Sequence, residues 1–344
     1  MEFSGQGGKG LKIVSNNWLS TMLGPITLPL VPTIQRLSYW INMSGEDKDY
    51  DTYRKDHELL APYVLGPMAS ASSWKYTPIL HFVNCSQEEF AHDIKQTQLM
   101  IGNHVGFSDF AILIQIARYY GVESNFIAYF MNSLNKWPFL GPTLWGQIPL
   151  ARDGTGKDEE TLNKRLSLFR DSAYNHLFAI FPEGGIRRNK KLRHRTVEKN
   201  EDHGICLQYM NFPKVKGFTK LVQIVGDKID NLYEFTLFYE NKRKTLWNNV
   251  HVTVTKVCKI SELPTSPSDY YVRKHSLVID DTNRLHYAHE EYLLNRFLAM
   301  DDKLKDYYSN LPEDERPTIE NLYKWRTAPI PTTSSDEDEP SPNK

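Results

Sequence analysis

Cysteine is scarce. Cys85, Cys206 and Cys258 are the only three in 344 residues, and none stands at C-x-x-C spacing. That speaks against a disulfide framework or a thiolate metal site and fits a reducing compartment or a cytosolic face. Net charge is nearly absent as well, at −1, so nothing global points to a nucleic-acid partner. The N-terminal run MEFSGQGGKGLKIVSNN has no apolar core leading to a small-residue cleavage site, which argues against a cleavable signal peptide. No internal repeat is visible. Mean hydropathy is −0.51, which excludes a polytopic membrane protein.

What is present is a globular balance, 40% hydrophobic and 12% aromatic, long enough to bury one large core or two small ones. One stretch stands apart: WLSTMLGPITLPLVPTI, residues 18–34, carries no charge. A straight spanning helix needs about 20 apolar residues, and Pro25, Pro29 and Pro32 interrupt this one. The expectation is a broken, re-entrant or monotopic membrane segment over residues 18–43; the alternative is a Pro-rich arm packed on the domain. Residues 44–60 are charged and read as a connector.

From there strands and helices alternate. SSWKYTPILHFV (73–84), QLMIGNH (98–104), NFIAYFMN (125–132), GQIPLARD (146–153) and HLFAIFPEGG (176–185) read as strands or strand ends, as do YEFTLFYE (233–240) and VHVTVTKV (250–257). An apolar helix follows residue 104 and ends near Gly121, and 157–175 has helical apolar spacing. The pattern predicts an α/β fold with a mostly parallel sheet flanked by helices. Residues 283–308 form a long amphipathic helix, expected to dock on the domain. The tail TTSSDEDEPSPNK is acidic and rich in Pro and Ser, a disordered composition.

Within this frame, IGNHVGFSDF (101–110) sets His104 five residues ahead of Asp109. On one continuous helix the two would point about 140° apart and could not cooperate. They meet only if His104 sits in the turn before the helix and Asp109 in or near its first turn. Asn103, Gly106 and Ser108 suit such a turn. Three further segments are expected with it at or past the C-terminal ends of strands, where open α/β sheets hold ligands. They are PLARD with Arg152, FPEGGIRR with Glu183, and PKVKGFTK with Lys216, Gly217 and Lys220. Taken singly each has a plain reading: a turn histidine, a solvated arginine, a strand-ending turn, a charged loop. RRNKKLRHR (187–195), with six Lys/Arg in nine residues, reads as a loop.

Taken in order, these segments resemble the glycerolipid acyltransferase family. His104 and Asp109 match its His-x4-Asp signature, WPFLG (137–141) and Arg152 its second block, and Phe181 to Gly184 its Phe-Pro-Glu-Gly block. FPKVKGFTKLVQ (212–223) and the C-terminal helix resemble the lysocardiolipin and lysophosphatidylinositol acyltransferase branch. The resemblance implies an acyltransferase domain over 61–265, after an N-terminal membrane-associated segment and connector (1–60). A C-terminal helical extension (266–330) and the acidic tail (331–344) follow. It implies an acyl-CoA-dependent lysophospholipid acyltransferase with no bound cofactor and no metal. Acyl-CoA, a lysophospholipid and a membrane, expected to be endoplasmic reticulum, would be its partners, and nucleic acid would not.

The chemistry fits those residue types. A thioester loses its thiol easily, since a thiol pKa lies near 8.5, whereas a glycerol hydroxyl attacks only once deprotonated. His104 would be that base, worth about 10²–10⁴-fold, and Asp109 would fix its tautomer. Backbone N–H groups after His104 would stabilise the oxyanion. Arg152 and Arg187 would meet the acceptor's phosphate, with Glu183 orienting Arg152 or a hydroxyl. Gly184 and Gly185 would let backbone approach the ligand. Arg188, Lys190, Lys191 and Lys216 would contact the donor or an anionic leaflet. Two positions depart from the family: Ile186 where Arg is usual and Asn132 where Lys is common. Fewer cations predict a preference for a phosphodiester acceptor over lysophosphatidate. The departures also leave a rival reading, a catalytically silent lipid-binding relative; a soluble thioester hydrolase fits less well.

Overall fold

A computed structural model describes residues 10–13, 50–51, 54–55, 65, 76–106, 108–131, 147–152, 156–186, 189–239 and 248–312. The apolar segment 18–43, Asn132, WPFLG, Arg187, Arg188 and the acidic tail lie outside them. Among the described residues no helix is long and apolar enough to cross a membrane.

Eight strands form one sheet in the order β1-β2-β8-β7-β3-β6-β4-β5. They are β1 (Leu11–Lys12), β2 (Tyr76–Val83), β3 (Gln98–Gly102), β4 (Phe126–Met131), β5 (Ile148–Leu150), β6 (Leu177–Ile180), β7 (Asn231–Tyr239) and β8 (Asn248–Lys259). The run β7-β3-β6-β4-β5 is wholly parallel, as is β2 with β8; only β1–β2 and β7–β8 are antiparallel. The mostly parallel α/β expectation therefore holds. Every residue of QLMIG and LFAI is buried, as parallel strands covered on both faces require.

Alternate side chains enter opposite layers. Met100, Leu177, Ala179 and Phe235 pack on one face with Phe90 of α1 (Gln87–Asp93) and Ile112 to Ala117 of α2 (Ser108–Tyr119). Leu99, Ile101, Phe178 and Ile180 pack on the other. There they meet Leu162, Leu166 and Phe169 of α3 (Lys157–Asp171), and Phe218, Leu221 and Val225 of α5 (Lys216–Val225).

Residues 189–195 depart from expectation. Asn189 caps α4 (Lys190–His203), its side chain accepting from Leu192 N at 3.1 Å. Arg193 is buried and donates to the carbonyls of Gln208 and Met210. A run of six cations looked like solvated loop because charge composition cannot reveal one long side chain folded inward. The 44–60 connector is likewise not wholly external: Arg54 is buried and donates to Asn125 Oδ1 at 2.7 Å.

After α6 (Asp269–Lys274), the predicted C-terminal helix is α7 (Arg284–Ser309), docked as expected. Leu294, Phe297, Met300 and Leu304 bury its apolar stripe. Arg296 and Lys303, seven residues apart and so on one face, both pair with Glu234 of β7, at 2.5 and 2.8 Å. Glu234 is fully buried, and two cations compensate its desolvation. Asp301 of α7, also buried, accepts from the backbone N–H groups of Gln208, Tyr209 and Met210. α7 thereby holds the segment that leads from α4 to the site.

Candidate active site

Because β7, β3, β6, β4 and β5 run parallel, their C-terminal ends meet along one edge. His104 follows β3, Arg152 follows β5, Glu183 follows β6, and Tyr239 ends β7. The fourth predicted segment, PKVKGFTK, follows no strand. It starts α5, and Lys214 just ahead of it is tied in by its own N–H to Pro182 O, at 2.6 Å.

The chain leaves β3 at Gly102 and is steered by Asn103, whose side chain bonds both Leu237 N and Leu237 O, at 2.8 and 3.0 Å. A side-chain amide thus continues the β3–β7 pairing for one more residue. The predicted turn placement of His104 and Asp109 is then realised: His104 lies before α2 and Asp109 in its first turn. His104 Nδ1 and Asp109 Oδ2 are 2.8 Å apart. A carboxylate only accepts, so the proton sits on Nδ1 and Nε2 keeps its lone pair. Phe181 stacks on the imidazole at 4.5 Å and 18°, which sets the plane of the ring. One edge of that ring remains partly exposed.

Asp109 is fully buried, with its partners supplied locally and from afar. Oδ2 also accepts from Val105 N and Gly106 N, at 2.6 and 2.9 Å. Oδ1 accepts from the Tyr239 hydroxyl, which also lies 3.3 Å from Ser108 Oγ. Burial, then the Asp109 charge, push the Tyr239 phenol far above its usual range, so it stays a donor. Of the N–H groups after His104, those of Val105 and Gly106 are already spent on Asp109 Oδ2.

Glu183 makes no hydrogen bond or ion pair with Arg152 among the described residues. Oε1 accepts from His104 N at 2.6 Å and Oε2 from Asn211 N at 2.8 Å, so it clamps the histidine's backbone to the 208–212 segment. Burial pushes its carboxyl up to about 8, against the pull of those two N–H bonds and of the Arg193 charge. What holds Arg152 is the Gly184 carbonyl, to which Nη1 donates. Arg152 has a left-handed backbone (φ 58°), retained because Asp158 at the start of α3 accepts from Ala151 N and Arg152 N.

Gly184 has φ +74°, and a Cβ there would lie 2.5 Å from Lys214 Cδ. At Gly185 a Cβ would strike Leu192 Cδ1 at 2.7 Å. In this structure the two glycines make room for the chain's own side chains, where a ligand was expected. Lys214, Tyr239 and Asn211 were not anticipated. Lys214 stands in the same run as Lys216 and Lys220; Lys216 is exposed as Lys214 is, and Lys220 pairs with Glu159 at 3.2 Å. Lys190 and Lys191 are exposed at the start of α4.

With this geometry in place, the comparisons with known proteins can be set against it. Residues 82–224 match the family described as Acyltransferase. Over 215 residues, 62% of this chain, the sequence is 25% identical to an Arabidopsis thaliana protein named "Probable 1-acyl-sn-glycerol-3-phosphate acyltransferase 5". The chain spans about half, 54%, of that relative's length. The matched stretch contains His104, Asp109, Arg152, Glu183 and Lys214. It stops short of Tyr239, Leu237 and α7, which complete the site from outside it.

Proposed function

We propose that the protein is an acyl-CoA-dependent lysophospholipid O-acyltransferase. The single observation that carries this reading is the 2.8 Å contact of His104 Nδ1 with the buried Asp109 carboxylate. In the neutral imidazole this leaves Nε2 as the acceptor nitrogen, on a side chain that is partly exposed. Among the described residues no Ser or Cys hydrogen-bonds the imidazole, so none of them is a nucleophile for it to activate, and the base acts on a bound hydroxyl. Nε2 takes the proton of a glycerol hydroxyl as that oxygen attacks the thioester carbonyl. The tetrahedral intermediate collapses, the carbon–sulfur bond breaks, and the thiolate leaves with the proton from the imidazolium. Asp109 stabilises that imidazolium without itself becoming protonated.

The acceptor class is a lysophospholipid: lysophosphatidylinositol, a lysocardiolipin-like lipid or lysophosphatidate. The likeness of Pro213 to Phe218 to the lysocardiolipin and lysophosphatidylinositol branch supports the first two. The cation count does not, because Lys214 supplies a charge that the argument from Ile186 and Asn132 left out. The relative's printed name speaks for lysophosphatidate in that protein. Membrane association through residues 18–43, endoplasmic reticulum residence and the absence of a bound cofactor belong to the same proposal. A silent relative has little use for a buried carboxylate aimed at an imidazole, so the intact pair favours turnover. The test is transfer of labelled acyl groups from acyl-CoA to a lysophospholipid panel by membranes bearing the full chain. No transfer to any member would overturn the reading.

A further inference from the structure

Arg152 and Lys214 approach the same glycine from two sides. Arg152 Nη1 donates to the Gly184 carbonyl, while Lys214 lies across the Cα, its Nζ 3.1 Å from where a Cβ would stand. Both side chains are exposed, and desolvation is still the largest influence lowering the protonation of each. More positive charge stands nearby. Arg195 and Lys191 of α4, together with Arg152, push against the Lys214 ammonium, which is lowered to about 8 by burial first and by these charges second. Among the described residues no carboxylate pairs with the Lys214 ammonium. The carboxylate nearest Arg152, Asp158, is engaged with backbone N–H groups. Cations gathered close together, with no carboxylate paired to Lys214, raise the energy of the empty site and lower it when an anion enters.

The shape selects the anion. Arg152 offers a planar fork and Lys214 a point charge, and the missing Cβ at Gly184 lets the Lys214 stem lie against the chain beside Arg152. We propose that Lys214 and Arg152 form a two-cation cradle over Gly184 that grips one phosphate group of a substrate. Lys214 there supplies the charge that Ile186 lacks. The cradle rests on the functional reading above and deepens it by naming a specificity-determining residue. The phosphate has two possible sources, the acceptor's headgroup and the coenzyme, which share this chemistry.

The experiment uses the full chain in detergent, unmutated and as Lys214→Met and Lys214→Arg. KM for a lysophospholipid and for acyl-CoA are measured separately. Because Lys214 is solvent-reachable, the expected rise for Lys214→Met is about tenfold, the low end for a charge-assisted hydrogen bond. A rise confined to the lysophospholipid assigns the phosphate to the acceptor, and one confined to acyl-CoA assigns it to the donor. Lys214→Arg should restore most of the lost affinity. The unmutated protein should lose kcat/KM above about pH 8, and Lys214→Arg should remove that loss, because an arginine stays charged there. Substitutions that leave both KM values within twofold would overturn the cradle. If the unmutated protein transfers no acyl group, the functional reading has failed, and the cradle is judged by thermal stabilisation with inorganic phosphate against chloride of equal ionic strength. Stabilisation of the unmutated chain that is lost in Lys214→Met upholds it; equal behaviour of the two sinks it.

Discussion

Asp109 and Lys214 belong to the same sheet-edge site, and their charges are treated in opposite ways. The Asp109 carboxylate is sealed from water and accepts from His104, Val105, Gly106 and Tyr239. The Lys214 ammonium is open to water, faces other cations and has no carboxylate partner among the described residues. A charge that must keep one geometry through every turnover is fully coordinated before substrate arrives, which is electrostatic preorganisation. A charge that must accept and release a ligand is left unsatisfied until the ligand comes.

The sharpest way to break this contrast is to remove the base. His104→Ala should reduce acyl transfer by about 10³-fold, within the range for a positioned general base. Folding should survive, since the imidazole is partly exposed and is anchored mainly through its backbone N–H to Glu183. Turnover within tenfold of the unmutated rate, in a variant with an unchanged melting curve, would mean that another group takes the proton.

Glu183 tests whether the sealed half depends on its clamp. Glu183→Gln keeps one acceptor but turns an amide N–H₂ toward a backbone N–H, a cost of about 1–3 kcal/mol in stability. The pH dependence has a definite sign. The folded carboxyl titrates at about 8, above its usual 4.5, so the folded state binds the extra proton between those values. The contribution of that raised pKa is therefore complete below about pH 4.5 and lost as pH rises through about 8. Urea unfolding should show the unmutated chain's advantage over the glutamine variant shrinking between pH 5 and 8.5. A gap that is constant with pH would place the Glu183 pKa near its ordinary value.

Tyr239→Phe probes the same half more gently. It leaves Oδ1 of a buried carboxylate without its long-range donor and should lower kcat about tenfold, the scale of one hydrogen bond to a charged group. An unchanged kcat would assign Tyr239 to packing alone.

Much of this half was legible in the sequence, and the reason is locality. His104 and Asp109 lie five residues apart, and the apolar run after them fixes where the helix starts. Phe181 to Gly184 ends an unmistakable buried strand. The parallel sheet follows from fully apolar strands alternating with helices. Tyr239 was not legible, because its partner is 130 residues away and strand periodicity says nothing about what a terminal hydroxyl meets. Lys214 was passed over for Lys216 because helix phase was unknown there. The bond of its N–H to Pro182 O, a contact between segments distant in sequence, decides where it points. Arg193 was misread for the same reason: six cations in a row look alike until a carbonyl cluster selects one.

The smallest expected effect separates the two halves without any mutation. Salt screens charges that water can reach and leaves sealed ones nearly untouched; the Debye length is already about 10 Å at 0.1 M. With acceptor in neutral detergent micelles, raising sodium chloride from about 0.05 M to about 0.5 M should raise the KM of the phosphate-bearing substrate about two- to threefold. kcat should stay flat, because the His104–Asp109 pair is formed by contact and one of its members has no exposed surface. In Lys214→Met the KM response should become shallower, since one of the screened cations is gone. If kcat falls with salt while KM holds, the exposed cations serve the chemical step rather than binding. The division of labour between Asp109 and Lys214 would then be the reverse of the one drawn here.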